Sequence, residues 1–115
     1  GYGPTGFTYK ALGSEKIILW GDGSEFREFV YIDDLVKVVS KLVQTDFEGV
    51  LNLVSGKSHS YNEIVNVLKE KMEIGFHVEF KNRTKEKVDH HFSNRLLKPC
   101  CKSVSFHTHM NNLIC

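Results

Sequence analysis

The sequence predicts an α/β fold, on three observations. Short runs rich in β-branched and aromatic residues recur at 17–20, 29–32, 50–54 and 76–80. Segments with helically spaced apolar residues lie between them, and Gly-, Asp- or Ser-rich stretches stand where one period gives way to the other. No internal repeat and no Gly/Ser or Pro linker divides the chain. One compact unit is expected across 1–98, followed by a divergent tail at 99–115 for which disorder is expected.

Residues 1–13 hold four glycines and one proline without periodicity, and read as a loop with a short helical turn at 9–12. The run Ile17-Ile18-Leu19-Trp20 is the first expected strand. Gly21-Asp22-Gly23-Ser24 offers the positive-φ positions of a tight turn, and Phe29-Val30-Tyr31-Ile32 favours a second strand, so a hairpin or related reversal is expected. Asp33 or Asp34 suits a helix N-cap or a first-turn charge, and Leu35, Val38, Val39 and Leu42 then fall at helical spacing with Lys37 and Lys41 toward solvent. Val50 to Val54 reads as a strand buried in a sheet.

Ser60-Tyr61-Asn62-Glu63 fits a capping box, and the helix it opens carries Ile64, Val65, Leu68 and Met72 on one face, ending before Gly75. Phe76-His77-Val78-Glu79-Phe80 alternates strictly, which places Phe76, Val78 and Phe80 on the covered face of a half-exposed strand. A polar loop follows at 81–87. One short helix is expected within 89–98, with Ser93 as its cap.

Composition narrows the class. A chain of 115 residues buries somewhat over about 60% of the surface its unfolded form exposes, enough for one modest core. Its 15 Lys and Arg nearly balance 14 Asp and Glu, for a net charge of +1, which predicts no general attraction to nucleic acid or to an anionic membrane. No apolar run approaches the roughly 18 residues of a membrane span, and GYGPTGFTYK is not a basic-then-apolar leader, so a soluble cytoplasmic protein is expected. Three cysteines, Cys100, Cys101 and Cys115, crowd toward the end and are read as reduced thiols. His90-His91 and His107-x-His109 lie near Cys100-Cys101, but neighbouring ligands point apart and the spacing of a structural zinc site is missing; no metal is expected.

The stretch IILWGDGSEFREFVYIDDLVKVVSKLV combines, in order, a β-branched run, Gly-Asp-Gly-Ser, an Arg three residues after the Ser, and aromatic-Val-Tyr-Ile-Asp-Asp-Leu. It resembles the segment of extended short-chain dehydrogenases/reductases, the NAD-dependent epimerase/dehydratase family, that leads from the substrate-domain hairpin into a helix of the main sheet layer. Tyr2-Gly3-Pro4 resembles the family's Tyr-Gly-Pro loop, and Leu51-Asn52-Leu53-Val54-Ser55-Gly56 its Tyr-Asn-Leu-Gly-Ser-Gly strand. The resemblance covers Tyr2 to about Leu97. Within the family, Trp20 and Arg27-Glu28-Phe29-Val30-Tyr31 look most like GDP-fucose synthase and related GDP-sugar reductases and epimerases. The implied fold is a C-terminal fragment of an extended Rossmann-type nucleotide-sugar epimerase.

The resemblance also implies site residues. The family places the motif arginine, here Arg27, against the substrate diphosphate, a role suited to a planar fork of donors with a permanent charge. The alternative is an Arg27 that pairs with Asp22 or Glu28 on the hairpin surface. Trp20 is implied beside the nucleotide sugar, with a plain core tryptophan as the alternative. A late-loop basic residue also reaches the diphosphate in the family; Lys87 occupies roughly that place, with Arg83 and Lys85 as rivals.

Two motifs of the family's chemistry are missing. No Gly-rich G-x-x-G-x-x-G or G-x-G-x-x-G turn follows a strand, and no Tyr-x-x-x-Lys occurs: Leu35 and Val65 stand four positions after Tyr31 and Tyr61. The spacer between Tyr2-Gly3-Pro4 and Trp20 is shorter than is common, and a CCKSVSFHTHMNNLIC tail replaces the family's Leu-Gly-Trp-type ending. Hydride transfer by this chain alone is not expected. NAD or NADP would be bound by the intact parent and not by this chain. The expected partners are a nucleotide-sugar substrate and a dinucleotide-binding half or full-length relative. The alternatives are a stand-alone nucleotide-sugar-binding or regulatory subunit and an inactive truncated copy.

Overall fold

A computed structural model describes residues 2–72, 75–100, 104–108 and 110. Pro4 at the first helical position, behind a glycine cap at Gly3, opens α1 (Pro4–Leu12), where its fixed φ and missing N–H cost nothing. The helix is longer than the single turn expected at 9–12. It buries Phe7 and Ala11. Strand β1 (Ile17–Trp20) follows, and its alternation sends Ile17 and Leu19 fully into the core while Trp20 faces outward.

The expected hairpin does not form. Strand β1 pairs in parallel with β4 (Val78–Lys81), Ile17 opposite Val78 and Trp20 opposite Lys81, and the ladder extends to Gly21 N–H donating to Lys81 O at 2.7 Å. The second strand, β2 (Phe26–Glu28), lies earlier than expected and pairs antiparallel with β3 (Ser58–Ser60). Ile32 is lost from the expected strand because α2 (Ile32–Leu42) claims it: Tyr31 is the extended N-cap residue and its carbonyl accepts from Leu35 N–H at 3.1 Å. Neither aspartate caps this helix. Asp33 and Asp34 sit in its first turn, where negative charge complements the helix dipole. Asp34 is fully buried, accepts from the His107 N–H at 2.8 Å and lies 2.9 Å from His107 Nδ1.

Ser60 performs its expected task at the start of α3 (Tyr61–Lys71). Its Oγ accepts from Glu63 N–H at 3.2 Å while Glu63 Oε1 accepts from Ser60 N–H at 3.4 Å, and the second carboxylate oxygen of Glu63 lies 2.7 Å from His59 Nδ1. The helix ends at Lys71, before Gly75 as expected, and lays Tyr61, Ile64, Val65 and Leu68 on α1 and β1; Met110 of the tail joins this core. Phe76, ahead of β4, and Val78 within it pack on the same core, but Phe80 is exposed. Helix α1 lies over β1.

A second, smaller core joins Val38 of α2 to Leu97 of α4 (Leu97–Cys100), with Leu42, Leu51, Leu53, Val104 and Phe106 packed around it. Helix α4 begins later than expected because Ser93 closes a local turn, its Oγ accepting from Arg95 N–H at 3.3 Å. The segment 50–54 is not a strand: Leu51 and Leu53 pack as stated, but Val50 is 89% exposed and no described strand runs beside it. Strand propensity without a neighbouring ladder leaves backbone groups no partner but water. Cys101, Cys115 and His109 lie outside the described residues.

Helix α2 is apolar over more of its circumference than the core covers. At 3.6 residues per turn, Ile32, Val36, Val39 and Val43 share an arc of about 60°, and all four are exposed. Replacing the Ser60 cap with alanine is expected to cost about 1 kcal/mol, read as a lower midpoint in chemical denaturation; an unchanged midpoint would show that Glu63 and the flanking strand hold this turn unaided. The uncovered arc of α2 predicts self-association in size-exclusion chromatography, relieved by Val36→Lys with Val39→Lys. A wild-type chain that elutes as a monomer at all concentrations would contradict this.

Candidate functional site

The turn after β1 is built to be rigid. Asp22 Oδ1 accepts from Ser24 N–H at 3.0 Å and from its hydroxyl at 2.5 Å. Asn62, in the first turn of α3, fastens the turn from below, donating from Nδ2 to Asp22 O at 2.8 Å and from its backbone N–H to Gly23 O at 3.0 Å. Gly23 has φ +75°, and a Cβ there would lie 2.3 Å from Asn62 Oδ1; Gly21 has φ +65°, and its Cβ would lie 2.3 Å from Arg83 Nε. Positive φ favours glycine at both positions, and the missing Cβ leaves the space that the Arg83 and Asn62 side chains occupy.

Arg27 on β2 is held at several points. Its Nη1 donates to Phe26 O at 2.8 Å and also to Val88 O, its Nη2 donates to Glu25 Oε2 at 3.0 Å, and the guanidinium carbon lies 5.7 Å from the centre of the Tyr61 ring. The segment 88–90 runs along β2 to supply this environment, with Asp89 Oδ1 accepting from Phe26 N–H at 3.0 Å and His90 N–H donating to Phe26 O at 2.9 Å. Arg27 forms its ion pair with Glu25, while Asp22 is engaged by Ser24 and Arg83, and Glu28 by the Ser55 backbone and hydroxyl.

Arg83 reaches across Gly21 to the other oxygen of Glu25, Nη1 to Oε1, and places Nη2 3.3 Å from Asp22 Oδ1. Beside these groups stands a tilted aromatic cluster. The Tyr2 ring lies 4.5 Å from that of Tyr61 and 5.1 Å, edge-on, from that of Phe7, and the Tyr2 hydroxyl accepts from Trp20 N–H at 3.4 Å. Burial raises the Tyr2 phenol above its ordinary value, against the opposing Trp20 N–H; burial likewise raises Tyr61, against Arg27. Both phenols stay protonated at neutral pH, available as donors but not as bases.

These residues line one cavity of about 470 Å³, with Tyr2, Trp20, Glu25, Arg27, Tyr61 and Arg83 on its wall together with Lys85 and Val88. The volume suits a small molecule. Trp20 and Arg27, both singled out from the sequence, are thus brought together. Lys87 is not on this wall; its Nζ lies 3.5 Å from Asp89 Oδ2, while the rivals Arg83 and Lys85 line the cavity. Glu25, Tyr2 and Tyr61 complete the site without having been named as its members, beside Arg83, which the sequence offers as a rival to Lys87. Only Arg83 carried a signal, as one basic residue among several in a polar loop, and what selects it is the empty space over Gly21.

A dinucleotide does not fit the glycine turn. Gly21 and Gly23 precede a strand rather than a helix, and the space beside them is filled by Arg83 and Asn62, so no row of helix N–H groups is open to a pyrophosphate. Among the described residues no cluster of three His, Cys, Asp or Glu is placed to hold a metal, and no helix is long and apolar enough to cross a membrane.

The model of the NAD dependent epimerase/dehydratase family matches residues 5–67. The chain belongs to that family. It is 35% identical over 66 residues to GDP-mannose 3,5-epimerase 1 of Oryza sativa subsp. indica, a match covering 56% of this chain and 18% of the relative. It is also 35% identical over 71 residues to a putative UDP-glucose 4-epimerase of Methanocaldococcus jannaschii, covering 61% of this chain and 22% of that one. The solved UDP-glucose 4-epimerase of Thermotoga maritima, crystallised with UDP-glucose, superposes with a TM-score of 0.74 at 24% identity over 85% of this chain and 33% of its own. The fold is therefore that of one part of a Rossmann-type epimerase or dehydratase, and the chain spans about a fifth of the relatives it matches in sequence.

Hydrogen bonding holds two turn carboxyls below their ordinary value: Asp22 through the Ser24 hydroxyl and then its N–H, Asp89 through the Phe26 N–H. A carboxyl depressed in the folded chain contributes stability that is present above the unfolded value and is lost as pH falls through the folded one. The denaturation midpoint is therefore expected to drop as pH is lowered into the ordinary carboxylate range and below it, and to drop less in Asp89→Asn. An equal drop in the variant would remove Asp89 from the account.

Proposed function

We propose that this chain is the substrate-binding, C-terminal portion of an NAD(P)-dependent nucleotide-sugar epimerase, dehydratase or reductase, with a GDP-sugar as the favoured ligand. The observation that carries the reading is the meeting of two guanidinium groups, Arg27 and Arg83, with Trp20 on one cavity wall. A diphosphate needs fixed, bidentate cations, and a nucleobase or sugar ring needs a flat apolar surface beside them. Membership of the family and the nucleotide sugars in the names of its relatives support the same ligand class. The preference for GDP rests on Trp20 with Arg27-Glu28-Phe29-Val30-Tyr31 and on the likeness to a GDP-mannose epimerase.

Arg27 is the first diphosphate contact in this reading. Arg83 takes the second in place of Lys87, because it lines the cavity while Lys87 is drawn to Asp89. Trp20 and Tyr61 flank the ligand. The nicotinamide cofactor, NAD or NADP, and the acid/base pair belong to a dinucleotide-binding half or a full-length relative that docks on the chain, and the exposed arc of α2 and the unpaired 50–54 segment are the surfaces that such a half would cover. The cavity serves equally well in a stand-alone nucleotide-sugar-binding subunit.

Isothermal titration with GDP-mannose and UDP-glucose is the direct test. Wild type is expected to bind, more tightly to the GDP-sugar, and Arg27→Ala to weaken binding by roughly ten- to a hundredfold. Absence of binding to both sugars in a folded wild-type chain would remove the substrate-binding reading.

A further inference from the structure

We propose that Glu25 is a built-in competitor for the anion site: its carboxylate occupies the guanidinium groups of Arg27 and Arg83, and a diphosphate enters by exchanging with it. The inference rests on reading the cavity as a diphosphate site. Glu25 Oε2 lies 3.0 Å from Arg27 Nη2, and Oε1 accepts from Arg83 Nη1 and, at 3.4 Å, from the Val88 N–H. The two oxygens of one carboxylate thus meet two forks of donors, which is the arrangement that two linked phosphates would offer. The side chains are 15%, 23% and 20% exposed for Glu25, Arg27 and Arg83, so these charges are less screened than surface pairs.

Glu25 is not needed to place either arginine. Arg27 keeps the Phe26 and Val88 carbonyls and the Tyr61 ring without it, and Arg83 keeps Asp22 and the groove over Gly21. What Glu25 does supply is a negative charge where the ligand brings its own. The like charge opposes the ligand, and the donors must be surrendered before a phosphate can take them. The affinity of the site is then set by the difference between two anions competing for one pair of cations. A carboxylate that merely organised the arginines would have the opposite effect when removed.

The experiment titrates the 115-residue chain with GDP and with inorganic pyrophosphate, in wild type, Glu25→Gln, Glu25→Ala, Glu79→Gln and Arg27→Ala, each checked for native circular dichroism. Glu25→Gln is expected to bind both probes about tenfold more tightly than wild type, with Glu25→Ala moving in the same direction should the amide disturb the fold. Glu79→Gln serves as a control: its carboxylate pairs with Lys16 outside the cavity with its side chain 40% exposed, and it is expected to change affinity by less than about twofold. Binding by Glu25→Gln where wild type shows none would support both the competitor and the diphosphate site. Unchanged or weaker binding by folded Glu25 variants, with wild type binding and Arg27→Ala not, would overturn the competitor and leave the diphosphate site standing. Failure of wild type and both Glu25 variants alike would overturn the two together.

Discussion

The parallel pairing of β1 with β4 is the contact on which the candidate site depends. It buries Ile17 and Leu19 beneath α1 and α3, and it ends at Gly21, whose N–H completes the ladder on Lys81 O. From that point the loop after β4 can go only over the glycine turn, and it carries Arg83 across Gly21 and lays 88–90 along β2. Parallel strands require a long crossover. Here the crossover contains β2, α2, β3 and α3, so the same topology that forms the pair also assembles the opposite wall of the cavity.

The wall is unusual in its charge balance. Two guanidinium groups converge, but a largely buried carboxylate sits between them and an exposed one, Asp22, flanks the second. The arginines are placed by backbone carbonyls, by an aromatic face and by the absence of a side chain at Gly21, which are fixed features of the fold. The carboxylates modulate what that placement can attract. In the proposed function this separates positioning from affinity, two properties that are commonly carried by the same residues.

Outside the site, the chain leaves apolar surface uncovered. Helix α2 buries Val38 and Asp34 on one side while Ile32, Val36, Val39 and Val43 face water on another, and Val50 stands exposed beside a run that has strand character but no strand neighbour among the described residues. Two-stranded sheets are marginal on their own, and here each is held by helices α1 and α3 or by side-chain bonds such as those of Glu28 to Ser55. The tail contributes as well. The His107 N–H on buried Asp34, and Met110 in the main core, tie residues beyond 99 to the body of the chain.

What the sequence determined by itself is what lies within a few residues of its own cause. The Ser60 to Glu63 capping box, the α3 face and its end, the glycines of the turn and the family motif from Trp20 to Leu35 were all legible, because caps, turns and helical periods are satisfied inside one short segment. Arg27 and Trp20 were legible through the motif. The tertiary structure alone decided that β1 pairs with β4 and not with its neighbour, that β2 pairs with Ser58–Ser60, and that 50–54 finds no ladder among the described residues. It also decided that Arg83 rather than Lys87 reaches the cavity and that Glu25 lies between two arginines. Strand pairing and ion pairing join residues far apart in the chain, Glu25 and Arg83 among them, and no local pattern encodes which distant partner will fill the space above a glycine.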